Sequence, residues 1–507
     1  MVLSSVTLGL AAAVILLVYK YLIYPGWISP LASLPTANPL CSFTGHWMIR
    51  RCKAHGELKT LYAAHQHFGP IVRLGPSEVS VISQEGLDKI YTAGLNKHMW
   101  YEKTFYLYGQ RNLVSTLEHK AHSAQKRMIA KLYTKSYLQT SRHMAVLSRR
   151  IIFERLGPLL QRYVEKGSDV NVVELFEWTG LDLVTAYLFG EACGTDFLRN
   201  QDDRERYFRE WSKHQGGPCT TYAEEVCMNM CNAVLASERD EKRSSNAEPV
   251  VFSVLYDRMC AEAHHSPSSS SDANVLRRCA SEMLDHIIAT QETNTITWTY
   301  ILYRLSLHPD LQQRLRDELL TLQPPVLTGG EDLPDPADVD RLPLLDAVVY
   351  ETLRLHAANP ARMRRVVPAS GLHLHGYEIP PGTTVSTNAY CLHRNEEVFP
   401  QALEWIPERW LSSGENAGGK AYPPREEAVR WFWAFGSGPR MCIGRNFATQ
   451  GTFYSKSKKK SQSPPLCCAE MVGSDQACRS RDLYPIQNEH RRRCRGRADG
   501  LIQLWTG

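Results

Sequence analysis

The chain has 507 residues, of which 43% are apolar and 22% are charged, as in ordinary globular proteins. Its net charge of +5 comes from the C-terminal end, where residues 456–507 hold eleven Lys or Arg and five Asp or Glu. The other 455 residues carry 47 basic and 48 acidic side chains, so the body gives no electrostatic reason to expect a nucleic-acid partner.

The fourteen cysteines are irregularly spaced and form no repeated C-x-x-C pair, so the sequence does not predict a zinc ribbon. In a chain of this length most cysteines are expected to be reduced and buried as small apolar groups. A functional cysteine must therefore be recognised by its neighbours.

A nearly uninterrupted apolar stretch, Val6–Tyr24, lies at the N-terminus. At about 1.5 Å per residue a helix of this length crosses roughly 30 Å of hydrocarbon, so we expect residues 1–24 to be a membrane anchor. A cleaved signal peptide is the alternative, but no basic segment precedes the stretch and no small-residue cleavage site precedes Pro25. The basic residues at positions 50–53 favour a body on the cytosolic side.

Four prolines in residues 25–40 predict a stiff, extended stalk between the anchor and the body. Helical spacing follows over Glu57–Phe68 and stops at a Gly-Pro pair. Ile71–Leu74 and Val79–Ile82 flank a second Gly-Pro pair and are interpreted as two short strands.

The pattern from about residue 118 to residue 320 is mainly helical, with a Ser-rich loop predicted over His264–Asn274. Val275–Leu307 is the longest predicted helix, and it is too apolar to lie on the surface. Another helix is predicted over Leu344–His356, followed by short strands within residues 372–388. The sequence therefore predicts a mainly α-helical body with a small sheet.

One cysteine, Cys442, lies in a glycine-rich loop that reads FGSGPRMCIG. Glycine permits positive φ and leaves no side chain between the backbone and a neighbour. A cysteine presented in this way can be a thiolate ligand, and Arg440 can pair with a carboxylate of the bound group. A single cysteine of this kind suits a flat iron macrocycle better than zinc. The alternative is a glycine-rich turn that buries an unreactive cysteine.

The pattern F-x-x-G-x-R-x-C-x-G, with Ala448 after it, resembles the haem-binding signature of the cytochrome P450 superfamily, the haem-thiolate monooxygenases. From the anchor to about residue 450 the likeness is greatest to membrane-bound enzymes of filamentous fungi. It implies the P450 fold, mainly α with a small β domain, as a single catalytic domain over residues 41–450. It also implies haem b, with Cys442 as the metal ligand. The implied cofactor-binding loop residues are Phe435, Arg440, Cys442 and Gly444.

The resemblance extends to Glu351 and Arg354 in an E-x-x-R segment and to Arg409 in Pro407-Glu408-Arg409-Trp410. Alone, a Glu and an Arg three residues apart are an ordinary solvated helix pair. Together and in this order, the two segments resemble a buried structural cluster that supports the cysteine loop.

Inside the longest helix, the segment ATQETN (residues 289–294) resembles the family pattern A-G-x-[DE]-T-[ST]. The resemblance implies that Glu292 and Thr293 are catalytic and supply protons during oxygen activation. Thr290 stands where glycine is usual, and Asn294 stands where a second hydroxyl residue is common. The alternative is a buried glutamate that only satisfies backbone groups.

The segment HSAQKR, residues 122–127, is similar to a basic helix of the family. This likeness implies that Lys126, helped or replaced by Arg127, binds a haem propionate. Arg365 occupies a second matching position in RRVVP. Each of these residues taken singly could be a solvated charge.

The implied reaction is insertion of one oxygen atom into a small apolar metabolite, in a fungal secondary-metabolite pathway. Electrons would come from NADPH through a separate membrane-bound NADPH–cytochrome P450 reductase, because the chain shows no flavin or nicotinamide segment. The expected location is the endoplasmic reticulum membrane, single-pass, with lipid around the anchor. Two alternatives stay open. One is an O2-independent haem-thiolate isomerase or dehydratase, against which Glu292 and Thr293 argue, and the other is a haem-poor or non-functional relative.

Residues 451–507 form an atypical basic tail with neither helical nor strand periodicity. Lys456–Lys460 put charge where the family's helix after the cysteine is apolar, and Pro464 ends any helix. We hypothesise a disordered tail or an artefact, namely a retained intron, a frameshift or a gene-model error beginning near Gly451. A genuine basic appendage is the alternative.

Overall fold

The computed structural model describes residues 2–54, 56–213, 220–239, 251–264, 272–324, 332–411 and 422–449. Most of the predicted Ser-rich loop and all of the basic tail lie outside these residues. The α-helices are α1 (Val2–Val18), α2 (His46–Lys53), α3 (Glu57–Phe68), α4 (Gln84–Gly86), α5 (Trp100–Phe105), α6 (His119–Ile129), α7 (Lys135–Thr140), α8 (Arg142–Arg149), α9 (Gly157–Glu165), α10 (Val172–Phe189), α11 (Gln201–Lys213), α12 (Thr220–Arg239), α13 (Val251–His264), α14 (Asp272–Ser306), α15 (Pro309–Leu319), α16 (Pro336–Val339), α17 (Pro343–Leu355), α18 (Ala389–Leu392) and α19 (Arg425–Trp431).

Other helical segments join these helices. Those of π type are Tyr19–Ile28, Leu87–Thr92 and Arg150–Leu156. Those of 3-10 type are Pro30–Ser33, Pro39–Ser42, Ala130–Tyr133, Pro407–Trp410 and Gly438–Arg440. A further helix covers residues 445–449, directly after the cysteine loop.

The strands form a small four-stranded sheet and a separate hairpin. The strands are β1 (Ile71–Gly75), β2 (Glu78–Val81), β3 (Arg365–Val366), β4 (Leu372–Leu374), β5 (Tyr377–Ile379) and β6 (Thr384–Ser386). The sheet order is β1-β2-β6-β3, in which only the β2–β6 pair is parallel, while β4 and β5 form the hairpin. The prediction of a mainly α-helical protein with a small sheet is confirmed.

Two long helices, α10 and α14, form the centre of the largest core cluster. Asn171 caps α10 by accepting hydrogen bonds from the next turn, and Gly190 ends it at φ +83°. Every residue of α10 from Leu175 to its end is buried. Helix α14 packs along α10 and is also covered by α12 and α13, so its polar residues are held inside the protein.

Residues 25–40 are not the extended stalk that the prolines predicted. The fully buried guanidinium of Arg73 donates to the carbonyl oxygens of Pro25 at 2.9 Å and Leu31 at 3.2 Å. Leu31 and Leu34 are buried in the same apolar cluster as the small sheet. The prediction was wrong because the carbonyl oxygens of this proline-rich segment are free to accept hydrogen bonds. Arg73, which is distant in the sequence, donates to two of them and folds the segment onto the body.

Within the described residues, one helical stretch, Thr7–Ile28, is long and apolar enough to cross a membrane. It extends four residues beyond the predicted anchor, and the side chains of residues 7–18 are exposed. This stretch is compatible with the membrane anchor that the sequence predicts.

Candidate active site

Two glycines fix the loop that carries Cys442. Gly436 and Gly438 have φ of +70° and +69°, which an L side chain rarely adopts. A Cβ atom on Gly438 would lie 2.3 Å from the carbonyl oxygen of Tyr91, so only glycine fits there. The N–H of Cys442 donates to the carbonyl of Phe435 at 3.0 Å and closes the loop.

We infer that the sulfur of Cys442 borders a space enclosed by protein. By surface area the side chain is exposed, yet burial by surrounding protein raises the pKa of its thiol. The exposed surface of the side chain and the burial that raises its pKa are consistent when Sγ borders a space that protein encloses. The N–H groups of Gly444 and Arg445 and the charge of Lys126 act in the opposite direction and lower this pKa, so the loop already provides thiolate-stabilising groups.

Basic side chains gather beside this loop. They are Lys97, His122, Lys126, Arg365 and Arg440. Burial and the neighbouring positive charges lower the pKa of His122 to about 2 and that of Arg440 to about 10. Burial also holds the pKa of Lys97 well below its ordinary value. His122 is therefore neutral, and within the described residues none of the two lysines and two arginines forms an ion pair with a carboxylate, so this cation cluster carries an excess of positive charge.

Each predicted cation has a defined position. Arg440 donates to the carbonyls of Thr116 and Leu117 at 3.1 and 2.5 Å, while its Nε has no partner within the described residues. The guanidinium of Arg365 lies 5.0 Å from the ring centre of Tyr91, and its Nε likewise lacks a partner there. Unpartnered N–H donors remain in the cluster.

Lys126 and Arg127 lie in different surroundings. The Nζ of Lys126 donates to the carbonyls of Pro439 and Met441 at 3.1 and 2.8 Å, so it holds the cysteine loop itself. The side chain of Arg127 is exposed, and its backbone carbonyl accepts a hydrogen bond from Arg258. The structure therefore brings Lys126, but not Arg127, to the loop.

The central helix α14 has a short stretch that the other described residues leave partly uncovered. Ala289 is exposed although its helix is interior, and Glu292 and Thr293 are partly exposed. The hydroxyl of Thr293 donates to the carbonyl of Ala289 at 2.8 Å, and Thr297 repeats this bond to the carbonyl of Thr293. Such hydroxyl bonds to the preceding turn bend a helix and open its hydrogen-bond ladder.

Glu351, Arg354 and Arg409 meet in a buried network. Arg354 makes two parallel bonds of 2.8 Å to the Glu351 carboxylate, and Arg409 donates to it at 3.0 Å. The N–H groups of Ile406 and the Trp410 indole complete its shell at 2.8 Å each. A fully buried carboxylate with five donors is stable only as long as every partner stays.

His393 connects this network to the cysteine loop. Its Nδ1 lies 2.9 Å from the carbonyl of Arg354, and its Nε2 accepts the N–H of Trp433 at 2.7 Å. Burial lowers the pKa of this imidazole to about 3, so it is neutral and carries its proton on Nδ1. Trp433 stands two residues before Phe435, at the start of the loop.

Sequence reasoning missed Lys97 and the bridging role of His393. Lys97 is a single lysine in a loop, and no motif marks it. It reaches the cluster because its backbone bridges to Arg365 and its Nζ donates to the carbonyls of Leu113 and Val114. Both residues act through contacts between distant segments, for which the sequence carried no signal.

The comparisons with known proteins agree with this geometry. The family described as Cytochrome P450 matches residues 35–454. The cytochrome P450 monooxygenase avaI of Aspergillus versicolor is 33% identical over 402 residues, which cover 76% of this chain and 92% of that protein. The cytochrome P450 monooxygenase TRI4 of Trichoderma arundinaceum is 26% identical over 87% of this chain and 84% of its own length.

A third relative, fusicoccadiene C-8 hydroxylase of Alternaria brassicicola, is 25% identical over 76% of this chain and 75% of its own length. The match to the family covers most of the chain and includes the cysteine loop, the central helix and the buried Glu351 network. The chain therefore belongs to the cytochrome P450 family and is a cytochrome P450 monooxygenase.

Proposed function

We propose that this protein binds haem b through Cys442 and inserts one oxygen atom of O2 into a small, largely apolar metabolite. The observation that carries the proposal is the thiol at the edge of an enclosed space, next to a cation cluster without a carboxylate partner. P450 enzymes use a haem cofactor and an electron donor.

The residues present fit haem b in both charge and chemistry. Two propionates would supply the negative charge that the cation cluster lacks, and Arg365 and Arg440 each keep an N–H without a partner within the described residues. The Cys442 thiol stands among N–H groups that favour its thiolate. When bound, a haem with a thiolate ligand supplies O2 activation.

The chain's own residues position the reactants and handle protons. Lys126 holds the cysteine loop through two carbonyls, and its charge favours the thiolate. Thr293 presents its hydroxyl on the open face of α14, with Glu292 beside it in the sequence. In this proposal the hydroxyl holds a proton donor at the reaction centre, and the carboxylate exchanges protons with solvent.

Electrons reach the protein from NADPH through a separate reductase in this proposal, since P450 monooxygenases generally use redox partners. The apolar stretch Thr7–Ile28 anchors the protein in the endoplasmic reticulum membrane with the body in the cytosol. The relatives are fungal monooxygenases, and one is named for hydroxylation of fusicoccadiene at C-8. That name supports hydroxylation of a secondary metabolite as the reaction type.

The ligand assignment is tested by the absorption band of the reduced, CO-treated protein. The native protein is expected to show the long-wavelength band that thiolate ligation gives, and Cys442→Ser is expected to lose it. Cys260→Ser is the matched control, because this free cysteine belongs to α13 and not to the cysteine loop, so its change leaves the proposed thiolate ligand in place. A Cys442→Ser variant that keeps the band would refute the assignment.

A further inference from the structure

A serine, a histidine and a glutamate from distant parts of the chain meet outside the proposed haem site. The hydroxyl oxygen of Ser83 lies 2.7 Å from Nε2 of His375, and Nδ1 of His375 lies 3.4 Å from Oε2 of Glu85. Serine hydrolases use the same order of contacts, in which a carboxylate orients an imidazole and the imidazole accepts the proton of the serine.

Ser83 lies at the turn from a strand into a helix. Strand β2 ends at Val81, and α4 begins at Gln84 and continues directly into the segment Leu87–Thr92. The Oγ of Ser83 accepts the N–H of Gly86 at 3.0 Å, which fixes the side chain at the start of this helix. Because the oxygen accepts from Gly86, its own O–H is available to donate to Nε2 of His375.

The charges around His375 favour the tautomer that can act as a base. Lys89 donates to Oε1 of Glu85 at 2.8 Å, and this hydrogen bond holds the pKa of Glu85 below its ordinary value. The ionised carboxylate accepts the backbone N–H of His375 and favours a proton on the nearby Nδ1. Nε2 is then free to accept the proton of Ser83, as a general base must.

The histidine occupies a turn position that does not itself call for an imidazole. His375 and Gly376 connect β4 to β5 with φ of +51° and +82°. Two positive φ values of this kind belong to a tight hairpin turn, for which Asn-Gly is the usual pair. A histidine held in the left-handed region is strained, and strained residues concentrate at functional sites.

The exposure of the three side chains limits what can react there. The side chains of His375 and Glu85 are 22% and 34% exposed, whereas Ser83 is 9% exposed. An acyl group that reaches Oγ from the imidazole side must therefore be small. Leu87 donates to the carbonyl of Ser83, so the N–H groups of Gln84 and Glu85 precede the first intrahelical bond. These N–H groups can stabilise negative charge on an attacked carbonyl.

We propose that Ser83 and His375 form a second catalytic site, which hydrolyses small acyl esters such as acetates and needs no haem. The Oγ of Ser83 attacks the ester carbonyl and its proton passes to Nε2 of His375. The Oγ–carbon bond forms, the bond from carbon to the alcohol oxygen breaks, and His375 returns the proton to the leaving oxygen. Water then cleaves the acyl-serine by the same route, which releases the acid and restores the hydroxyl. Glu85 is a positioning residue that acts through His375.

The test treats the full-length protein in lipid nanodiscs with methanesulfonyl fluoride, without NADPH. Attack by an activated serine forms an Oγ–sulfur bond and expels fluoride, so the serine is marked by a stable adduct. Intact mass and a peptide map give the number and position of adducts, and release of p-nitrophenol from p-nitrophenyl acetate gives the rate of ester hydrolysis. The expected result is a single adduct, on Ser83.

Two variants remove the chemistry and keep the local structure. Ser83→Asn retains a side-chain oxygen that can cap the helix, and it is expected to lose the adduct. His375→Asn suits the left-handed turn, and it is expected to slow both adduct formation and ester hydrolysis at least about a hundredfold. Ser141→Asn is the matched control, because Ser141 also caps a helix, by accepting the N–H of Met144. It is expected to keep the native rates.

The positioning role of Glu85 has its own pair of variants. Glu85→Gln is expected to slow adduct formation about a hundredfold, because an amide that donates to Nδ1 moves the imidazole proton to Nε2. Glu85→Asp restores an ionised acceptor and is expected to recover about tenfold of this loss. Equal rates in the Gln and Asp variants would contradict the positioning role.

An unmodified Ser83 in the native protein, under conditions that modify acetylcholinesterase, would overturn the proposal. A native rate of adduct formation in His375→Asn would overturn it as well. The CO band is recorded on the same samples, which separates these outcomes from failure of the proposed function. A normal band without the adduct refutes the ester site alone, whereas an adduct on Ser83 in protein without the band supports the ester site and refutes thiolate ligation.

Discussion

At the scale of single residues, the cation cluster joins side chains whose charges repel one another. Lys97 is its most buried ammonium, and both burial and the charges of Arg365 and Arg440 lower its pKa. The free energy stored in this repulsion is released when an anion binds between the cations. In the proposed function this anion is the haem, so cofactor binding would stabilise the loops that carry the cluster.

Lys97→Gln is expected to weaken haem retention about tenfold, because it removes one charged donor next to the proposed propionate site. The measurement is the rate of haem transfer from the purified protein to an excess of apomyoglobin. Lys103→Gln is the matched control, since this lysine is exposed in α5. A transfer rate in Lys97→Gln equal to that of the native protein would show that the cluster does not hold the cofactor.

Thr293→Ala is expected to leave haem content unchanged and to divert electrons from product to hydrogen peroxide. The reason is that the hydroxyl lies on the partly exposed face of α14, where it can hold a proton donor, and its hydrogen bond is to the carbonyl of Ala289 in its own helix. Peroxide formed per NADPH consumed, in the presence of reductase, is the measurement. Thr297→Ala controls for loss of a hydroxyl bond to the preceding turn. Unchanged coupling in Thr293→Ala would contradict the assignment.

At the scale of elements, the Glu351 network connects α17, the Pro407–Trp410 segment and the cysteine loop. Glu351→Ala leaves Arg354 and Arg409 buried without their counter-charge, which costs about 3–5 kcal/mol. We expect little haem-loaded protein from this variant, measured as haem per polypeptide after purification. Glu408→Ala is the control, because Glu408 pairs with Arg314 at the surface. A soluble, fully loaded Glu351→Ala protein would refute the structural role.

The buried His393 makes the free energy of unfolding depend on pH. Its folded pKa of about 3 lies below the ordinary 6.5, so on acidification the unfolded chain takes up a proton before the folded protein does. The stability from neutral His393 is therefore complete above pH 6.5 and is lost as the pH falls toward 3. His393→Gln should reduce the slope of unfolding free energy by up to about 1.4 kcal/mol per pH unit in this window.

Urea unfolding at a series of pH values measures this slope. His46→Gln is the control, since His46 is an exposed histidine of α2. A slope that stays at the native value in His393→Gln would show that another group takes up the proton.

The spacing of apolar residues in the sequence predicted those helices whose ends are set by residues next to them in the chain. Helix α3 has the predicted bounds, because its apolar spacing runs without interruption to Gly69 at φ +88°. Helix α14 begins three residues earlier than predicted, where Asp272 favours the first turn. The sequence could not predict the folding of residues 25–40, because Arg73 binds them from another element. It missed Lys97 for the same reason.

At the scale of the whole molecule, three parts of the described body border the cysteine loop. The cation cluster lies on one side, and we infer that the stretch of α14 with Ala289 and Thr293 lies on another. The third side is the outer one, where a groove of about 190 Å³ is lined by Phe435, Arg445, Asn446 and residues of α17. The helix over residues 445–449 packs Phe447 against Tyr133 and Tyr187.

The final prediction concerns the chain after this helix. The match to the family ends at residue 454, and the surplus of six positive charges begins at Lys456. The family resemblance implies that the helix after the cysteine continues with an apolar face that supports the haem. Lys456–Lys460 cannot form such a face without burying unpaired charge. We propose that the natural message encodes a different continuation from about Gly451.

Sequencing the mature transcript is the measurement, and the expected result is a junction or reading frame near codon 451 that restores apolar spacing. Protein expressed with that continuation should retain haem, whereas the chain with the basic tail should lose it readily. An in-frame transcript that encodes this tail, together with purified enzyme that turns over substrate, would overturn the proposal. In that case the loop contacts of Lys126 and Arg440 and the Glu351 network would be sufficient to hold the cofactor.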